Sequence, residues 1–239
     1  MEYFILFLNK GILNHILLKR NINIQCFMTS VITGDIIKSS KFTNPEIWLI
    51  PLKDALTKTG IAKKYWETFR GDSFQIEIKN NQQAFHIATY IKACIKTVKG
   101  LDVRMAIGIG DKAFEGDTVT ESNGEAFQFS GETLESLKKE KTNLKMKSRY
   151  IYLNEELNLY FRLALIAMDN WTVNSSETIK IVIENSGVAL QSEIAEIIGV
   201  SQDAVSKRLK RACFKEIMDL DRMYYQKITL LELKLLEEK

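Results

Sequence analysis

Residues 28–40, MTSVITGDIIKSS, carry the first strong strand signal in the chain. Their Val, Ile and Thr content is typical of a buried β-strand, and we predict a strand over residues 29–37. Asp35 interrupts this apolar run, and a buried carboxylate without a partner is costly. We therefore expect that another group neutralises Asp35, or that Asp35 lies at a strand end that faces a cleft.

Strand and helix signals alternate through the residues that follow. We predict a helix over residues 44–60, a hairpin of YWETF and SFQIEI around the turn RGD, a helix over 82–98, a strand in VRMAIGIG, a helix over 125–139 and a last strand in KSRYIYLN. The order β-α-β-β-α-β-α-β predicts an α+β fold with a mostly antiparallel sheet and helices packed on one face. The ferredoxin-like sandwich, and the polymerase palm built from it, have this order.

Composition favours a globular protein in a reducing compartment. Hydrophobic residues make up 46% and charged residues 26% of the 239-residue chain, and the net charge of +3 implies no partner by itself. The cysteines form no C-x-x-C motif, and the histidines lie on separate segments, so histidine-based metal or nucleophile sites are poorly supported. The apolar run near the N-terminus is too short for a membrane span and lacks a cleavage site. We therefore expect a cytoplasmic protein without membrane contact.

A second acid is expected beside the first. Asp72 follows Gly71 at the tip of the predicted hairpin, and in a β-α-β-β unit the first strand and the hairpin are neighbours. Asp35 and Asp72 can then meet at one end of the sheet, where two carboxylates repel unless a proton or a cation lies between them. Mg²⁺ or Mn²⁺, shared with phosphate oxygens, would be such a cation. The alternative is that both acids are solvated turn and strand-end residues, because Gly-Asp is a common turn pair.

These motifs resemble class III nucleotidyl cyclases and GGDEF enzymes. TGDIIKSS is similar to the strand that carries a metal aspartate in those enzymes, and RGDSF to the hairpin that carries the second one. VRMAIGIG is similar to the following strand, and NGEAFQFSGETLE to the helix with transition-state residues. The resemblance implies that Asp35 and Asp72 bind the metal. We also expect nucleotide contacts from loop residues near these acids, namely Lys38, Ser39, Arg70 and Gly71.

The chain departs from the cyclase pattern at positions that matter for catalysis. Thr68 stands where the cyclases commonly have a lysine, and the helix offers Gln128, Gly131 and Glu132 where an asparagine and an arginine are expected. Phosphoryl transfer needs positive groups that stabilise charge on the moving phosphate. We therefore expect a degenerate site and assign no catalytic residue. The alternative is an active nucleotidyl cyclase or related phosphotransferase that uses the two acids.

The most specific stretch lies near the C-terminus, in SEIAEIIGVSQDAVSKRLKRA, residues 192–212. A first helix would end at Gly199, and Ser201 would cap a second helix by accepting from the backbone N–H of Asp203 or Ala204. This pattern resembles the helix-turn-helix of sigma-like and response-regulator proteins, whose second helix enters the major groove of DNA. The residues expected to contact DNA are Gln202, Asp203, Ser206, Lys207, Lys210 and Arg211.

Basic residues are concentrated in the second of these helices and just after it. Their close spacing suits contacts to DNA phosphates and a salt-dependent affinity. The cluster consists of Lys207, Arg208, Lys210, Arg211 and Lys215. The alternatives are a helical module that binds protein and a basic helix face that is only solvated.

A last helix is predicted over residues 214–237, with its apolar residues on one stripe. The stripe contains Ile217, Leu220, Tyr224, Ile228, Leu231 and Leu235. It either packs on its own domain or forms the seam of a homodimer, which would suit a palindromic operator.

Over about residues 28–225 the chain is similar to SatD-like bacterial proteins, which join a cyclase-like domain to a C-terminal helix-turn-helix. The pattern along the chain divides it into four segments: an extension over 1–27 that is either non-native or loosely attached, a cyclase-like domain over 28–153, a linker helix over 154–176 and a helix-turn-helix domain with a C-terminal helix over 177–239. We predict a DNA-binding transcriptional regulator whose degenerate cyclase-like domain binds a nucleotide, a divalent metal or both.

Overall fold

The computed structural model describes residues 28–185 and 190–238, so the predicted extension over 1–27 lies outside the described residues. The described residues form six strands and eight α-helices. The strands are β1 Met28–Ile37, β2 Trp66–Phe69, β3 Ser73–Ile78, β4 Asp102–Phe114, β5 Asn123–Gly124 and β6 Leu144–Lys147. The helices are α1 Glu46–Lys58, α2 Ala84–Lys96, α3 Glu125–Glu140, α4 Ile151–Met168, α5 Val173–Glu184, α6 Gln191–Ile198, α7 Gln202–Arg211 and α8 Phe214–Glu237.

The sheet has β1 at its centre. Its order is β2-β3-β1-β4, with β5 and β6 both paired to β4. Every pair is antiparallel except β4 with β6, which is parallel. The predicted α+β class and the mostly antiparallel sheet are confirmed, and so is the hairpin of β2 and β3.

Helices cover both faces of the sheet, so the expectation of helices on one face is wrong. One face of β1 presents Ile32 to the main core, which includes buried residues of α1 and α2. The other face presents Val31, which packs with Ala126 and Phe127 of α3. Because β1 is buried on both faces, its sequence reads as a nearly continuous apolar run rather than as an alternation.

A glycine in β4 lets α3 approach the sheet closely. A Cβ atom at Gly108 would lie 2.0 Å from the backbone oxygen of Ala126 and 2.6 Å from the backbone nitrogen of Ser130. Any side chain at this position would therefore push the helix away from the strand. By sequence, the glycines of GIG look like ordinary strand residues. In the structure, the first of them, Gly108, is required because α3 packs directly against it.

The predicted last strand in KSRYIYLN is wrong. The strand β6 ends at Lys147, and Ile151 already begins α4. Two asparagines of α4 close the junction: Asn158 bonds the backbone of Met146 at 2.7 and 2.8 Å, and Asn154 accepts from the backbone of Ser148 at 2.9 Å. Asn158 thereby satisfies the backbone of β6 at Met146, and Asn154 satisfies the backbone N–H of Ser148 just after the strand ends.

The apolar stripe of α8 packs within its own chain. Tyr224 is fully buried and lies 6.0 Å from Phe85 of α2 and 6.2 Å from Phe161 of α4, measured between ring centroids. Ile217 and Ile228 belong to the same core as the sheet. The stripe thus packs within the chain, but against α2 and α4, which lie outside the predicted helix-turn-helix domain, so the expectation that it packs on its own domain is wrong. Its buried members leave no surface there for a second copy.

In the described residues, 28–185 and 190–238, no helix combines the length and the apolar character needed to cross a membrane.

Candidate functional site

The structure brings Asp35 and Asp72 to the same end of the sheet. Asp35 is paired with Ser73 in the antiparallel register of β1 and β3, and Asp72 directly precedes Ser73. The backbone oxygen of Asp72 accepts from the backbone nitrogen of Ile36 at 3.0 Å. The two acids therefore lie side by side on neighbouring chain segments.

Asp35 is neutralised by an arginine that the sequence reasoning missed. Arg104 is the residue opposite Asp35 in the β1–β4 register, and its Nη1 lies 3.1 and 3.3 Å from the two carboxylate oxygens. Lys138 of α3 lies farther off, with its Nζ 3.9 Å from Oδ2. The signal for Arg104 was present, since it is the one charged residue in VRMAIGIG and alternates with the apolar core positions.

The environment of Asp35 is unfavourable for its charge. Burial raises the pKa of this carboxyl above its ordinary value of 3.8, although the charges of Arg104 and Lys138 act in the opposite direction. The negative charge of Asp72 adds to the increase. Desolvation of a partly buried ion pair can exceed the attraction between its members. Folding stability alone therefore gives no reason for an acid at this position.

The carboxylate of Asp72 has its own partner in the turn after β1. The hydroxyl of Ser39 donates to Oδ2 of Asp72 at 2.5 Å, and Ser39 is itself buried. Lys38, just before it, is exposed and takes the left-handed conformation, with φ 69°. The turn after β1 is thereby fastened to the tip of the hairpin.

The hairpin tip supplies the remaining predicted residues. Arg70 and Gly71 both have positive φ, 51° and 87°, and the backbone oxygen of Gly71 accepts from the indole nitrogen of Trp48 at 3.4 Å. A hydrogen bond from Lys138 and its positive charge lower the pKa of Glu135 on α3, and the charge of Arg70 lowers it further. Arg70 is therefore close enough to α3 to act on its charges, and the site is bordered by two turns and one helix.

These residues do not form a metal cage by themselves. In the part of the chain that the structure describes, no group of three or more His, Cys, Asp or Glu side chains is placed to hold a metal ion. Asp35 already contacts Arg104, and Asp72 accepts from Ser39. Two carboxylates can still share Mg²⁺ or Mn²⁺ with the phosphates of a ligand, because Mg²⁺ commonly takes one or two carboxylates plus phosphate and water. The metal assignment stays a prediction.

A second candidate surface lies on α7. Helix α6 ends at Gly199, which takes the left-handed conformation with φ 73°. Ser201 then caps α7, and its hydroxyl accepts from the backbone nitrogen of Ala204 at 3.2 Å, as predicted. Val205 is fully buried against Ile194 of α6. The turn and the cap fix the angle between the two helices, and one face of α7 is left outside.

The outer face of α7 holds the residues predicted to contact DNA. All of them are exposed: Gln202, Asp203, Ser206, Lys207, Lys210 and Arg211. Lys207 forms an exposed ion pair with Asp203 at 2.7 Å. Exposed pairs of this kind contribute about 0–1 kcal/mol, so Lys207 can exchange Asp203 for another anion at little cost.

Arg208 is the exception among the basic residues of α7. Its side chain is largely buried, and its Nη1 lies 3.4 Å from the hydroxyl oxygen of Thr178 and 3.9 Å from a carboxylate oxygen of Glu177, both on α5. The backbone oxygen of Arg208 accepts from the Ser175 hydroxyl at 3.4 Å. Arg208 holds α7 on α5, and its inclusion among the expected phosphate contacts is not supported by its position.

The comparison with protein families covers both candidate surfaces. The SatD family matches residues 29–224 of this chain. The chain belongs to the SatD family. The matched region of this SatD protein includes the sheet end with Asp35 and Asp72 as well as the whole of α7.

Comparison with other proteins adds little to the family assignment. This SatD protein is weakly similar to the structure of the active GGEEF domain of a diguanylate cyclase from Vibrio cholerae, with a TM-score of 0.37 and 15% sequence identity. That match covers 52% of the SatD chain and 83% of the other chain. No curated protein matches the SatD chain significantly.

Proposed function

We propose that this SatD protein is a DNA-binding transcriptional regulator in which α6 and α7 act as a helix-turn-helix. The observation that supports the proposal is the exposed outer face of α7, which carries three basic side chains and three shorter polar ones on a helix whose inner face is packed. An α-helix fits the major groove of B-DNA, where the N-terminal residues of a recognition helix meet base edges. In this arrangement Gln202 and Ser206 would read bases.

The charges of this surface divide into two roles. Lys207, Lys210 and Arg211 lie in the middle and at the end of α7, where they would meet phosphates beside the groove. Lys215, exposed at the start of α8, extends the same basic surface. Asp203 lies in the first turn of α7, where a carboxylate can accept from the exocyclic amine of cytosine.

Selection of bound sequences from a random DNA pool tests this proposal. We expect the wild-type protein to enrich a defined short sequence. Gln202→Ala and Ser206→Ala should change or broaden the enriched sequence, because these residues would read bases. Lys53→Ala, an exposed lysine on α1, serves as the control and should enrich the wild-type sequence. A wild-type protein that enriches no sequence would contradict the proposal of a sequence-specific regulator.

We further propose that the sheet end around Asp35 and Asp72 binds the phosphate groups of a nucleotide together with Mg²⁺ or Mn²⁺. Two features support this: burial disfavours the charge of Asp35, so stability alone does not explain an acid at this position, and basic side chains border the acids. A phosphate and two carboxylates repel each other, so a divalent cation is expected between them. The nearby residues proposed to contact the ligand are Lys38, Ser39, Arg70 and Gly71.

Thermal unfolding with each nucleoside triphosphate, with and without Mg²⁺ or Mn²⁺, tests this second proposal. A ligand that binds only the folded state raises the melting temperature. We expect an increase that needs both nucleotide and metal and that disappears in Asp72→Asn. The exposed acid Asp117, converted to Asn, is the control and should keep the shift. Absence of a shift with every nucleotide and metal would contradict nucleotide binding.

The same samples test the enzyme alternative. Release of pyrophosphate from a nucleoside triphosphate, lost in both Asp35→Ala and Asp72→Ala, would establish a nucleotidyl cyclase or related phosphotransferase. A melting shift without pyrophosphate release would instead support binding at a degenerate site.

A further inference from the structure

An apolar stripe lies exposed along the outer face of α4. Its members keep a large part of their surface in solvent: Tyr152 65%, Leu159 46%, Leu163 56% and Ile166 69%. Their spacing of seven, four and three residues places them on one side of the helix, with Glu155 and Glu156 in the turn between Tyr152 and Leu159. With a rise of about 1.5 Å per residue the stripe is about 21 Å long.

The opposite face of α4 is already buried. Leu153, Leu157 and Phe161 of α4 belong to the main core. The helix is therefore apolar on its inner side and again along its outer side, whereas a surface helix normally presents polar residues to solvent. A row of large exposed apolar side chains on a globular protein is typical of an interaction surface.

Two charged residues on the border of the stripe indicate what covers it. Glu155 and Arg162 are both exposed and lie seven residues apart on the same flank. If a second copy of α4 packs antiparallel about a two-fold axis near Leu159, each flank meets the same flank of the partner. Glu155 of each copy then comes beside Arg162 of the other. This flank is therefore self-complementary in charge, as an isologous interface requires.

We propose that the outer face of α4 is the interface of a homodimer, with Leu159 at the two-fold axis. Tyr152 of one copy packs against Ile166 of the other, and the two Glu155–Arg162 pairs close one flank. This places the dimer on α4 rather than on α8, whose apolar stripe is used inside the chain. Two copies related in this way also carry two α7 helices related by the same axis, an arrangement that matches a palindromic operator.

The molar mass in solution, measured by light scattering without DNA, tests the dimer directly. We expect the wild-type protein at about 50 µM to have twice the 27.5 kDa of one chain. Leu159→Glu should be a monomer, because it places two like charges at the axis. The matched control is Leu230→Glu on α8, which changes a residue with 60% exposure outside the stripe and should leave the dimer intact.

Charge reversal gives a second test that does not depend on the apolar core of the interface. Arg162→Glu and Glu155→Arg should each raise the dimer dissociation constant about threefold to thirtyfold, since each disrupts two symmetric exposed pairs. The double variant, in which the two charges are exchanged, should return close to the wild-type constant.

Three outcomes would overturn the proposal: a monomeric wild-type protein, a dimer that Leu159→Glu leaves intact, or a double variant no tighter than the single ones. Because DNA is absent from these measurements, their failure would leave the DNA-binding proposal untouched.

Discussion

Asp35 and Arg104 face each other across the β1–β4 pair, and Nη1 of Arg104 contacts both carboxylate oxygens of Asp35 at 3.1 and 3.3 Å. The pKa of Asp35 is nevertheless raised, because burial disfavours its charge more than Arg104 and Lys138 favour it. Arg104 thus stabilises the carboxylate but offsets only part of the cost of burying it. This relationship has consequences for stability that differ between the two residues.

Removal of the acid should cost less than removal of the base. Asp35→Asn keeps an oxygen that accepts from Arg104 and removes the charge that burial disfavours, so its free energy of unfolding should stay within about 1 kcal/mol of wild type. Arg104→Met leaves the carboxylate of Asp35 with Lys138 at 3.9 Å as its nearest cation. We expect a loss of about 2 kcal/mol. Urea unfolding of the two variants measures the difference, and the reverse order of stability would contradict this account.

The stability that Asp35 contributes should fall as pH rises. Its pKa in the folded protein lies above the ordinary 3.8 of the unfolded chain. Between these two values the folded state binds more protons than the unfolded state, so the free energy of unfolding decreases with increasing pH and then levels off above the folded pKa.

The difference in unfolding free energy between wild type and Asp35→Asn isolates this contribution, because other groups titrate in both proteins. Measured from about pH 4 to about pH 7, wild type should lose stability relative to Asp35→Asn. A relative gain with rising pH would show that Arg104 outweighs burial.

A buried charge cluster between the start of β4 and α2 should be more sensitive to substitution than the Asp35–Arg104 pair. Asp102, at the start of β4, accepts from Lys92 at 2.6 Å and from Lys96 at 3.1 Å, and these lysines are only 1% and 9% exposed. Asp102→Ala leaves both ammonium groups with a smaller set of acceptors in a buried setting. We expect a loss of about 3 kcal/mol in the free energy of unfolding.

The control for this prediction lies on the same strand. Asp111 pairs with Arg149 at 2.7 Å, but both side chains are nearly half exposed, and Arg149 also bonds Glu125. Asp111→Ala should therefore cost less than about 1 kcal/mol. Equal losses for the two alanine variants, measured by urea unfolding, would contradict the view that burial sets the cost.

Sequence patterns predicted the elements of this fold well where local chemistry determines them. The run around Asp35, the hairpin at Gly71 and the capped turn from Gly199 to Ser201 were all predicted from residue types with strong local preferences. The position of Asp35 and Asp72 at the same end of the sheet followed from the β-α-β-β order and needed no side-chain geometry.

The errors occurred where tertiary contacts decide the outcome. KSRYIYLN has the β-branched and aromatic content of a strand, but Asn154 and Asn158 close a turn there and the helix begins early. The position of α3 on the second face depends on the close approach at Gly108, which no periodicity reveals. Arg104 was missed because the β1–β4 register, which sets it opposite Asp35, is not visible in either strand alone.

The salt dependence of DNA affinity tests the central claim, DNA binding by α7, most directly. Fluorescence anisotropy with a labelled duplex gives the dissociation constant at several salt concentrations. For the wild-type protein we expect the logarithm of affinity to fall linearly with the logarithm of salt concentration. Lys207→Ala and Lys210→Ala should each weaken binding and reduce the slope by about one.

Lys53→Ala and Lys99→Ala remove the same charge from exposed positions elsewhere and should change neither quantity. We therefore expect the affinity and its salt slope to decrease when Lys207 or Lys210 is removed and to stay unchanged when Lys53 or Lys99 is removed. Binding that is absent, or that all four variants weaken equally, would contradict it.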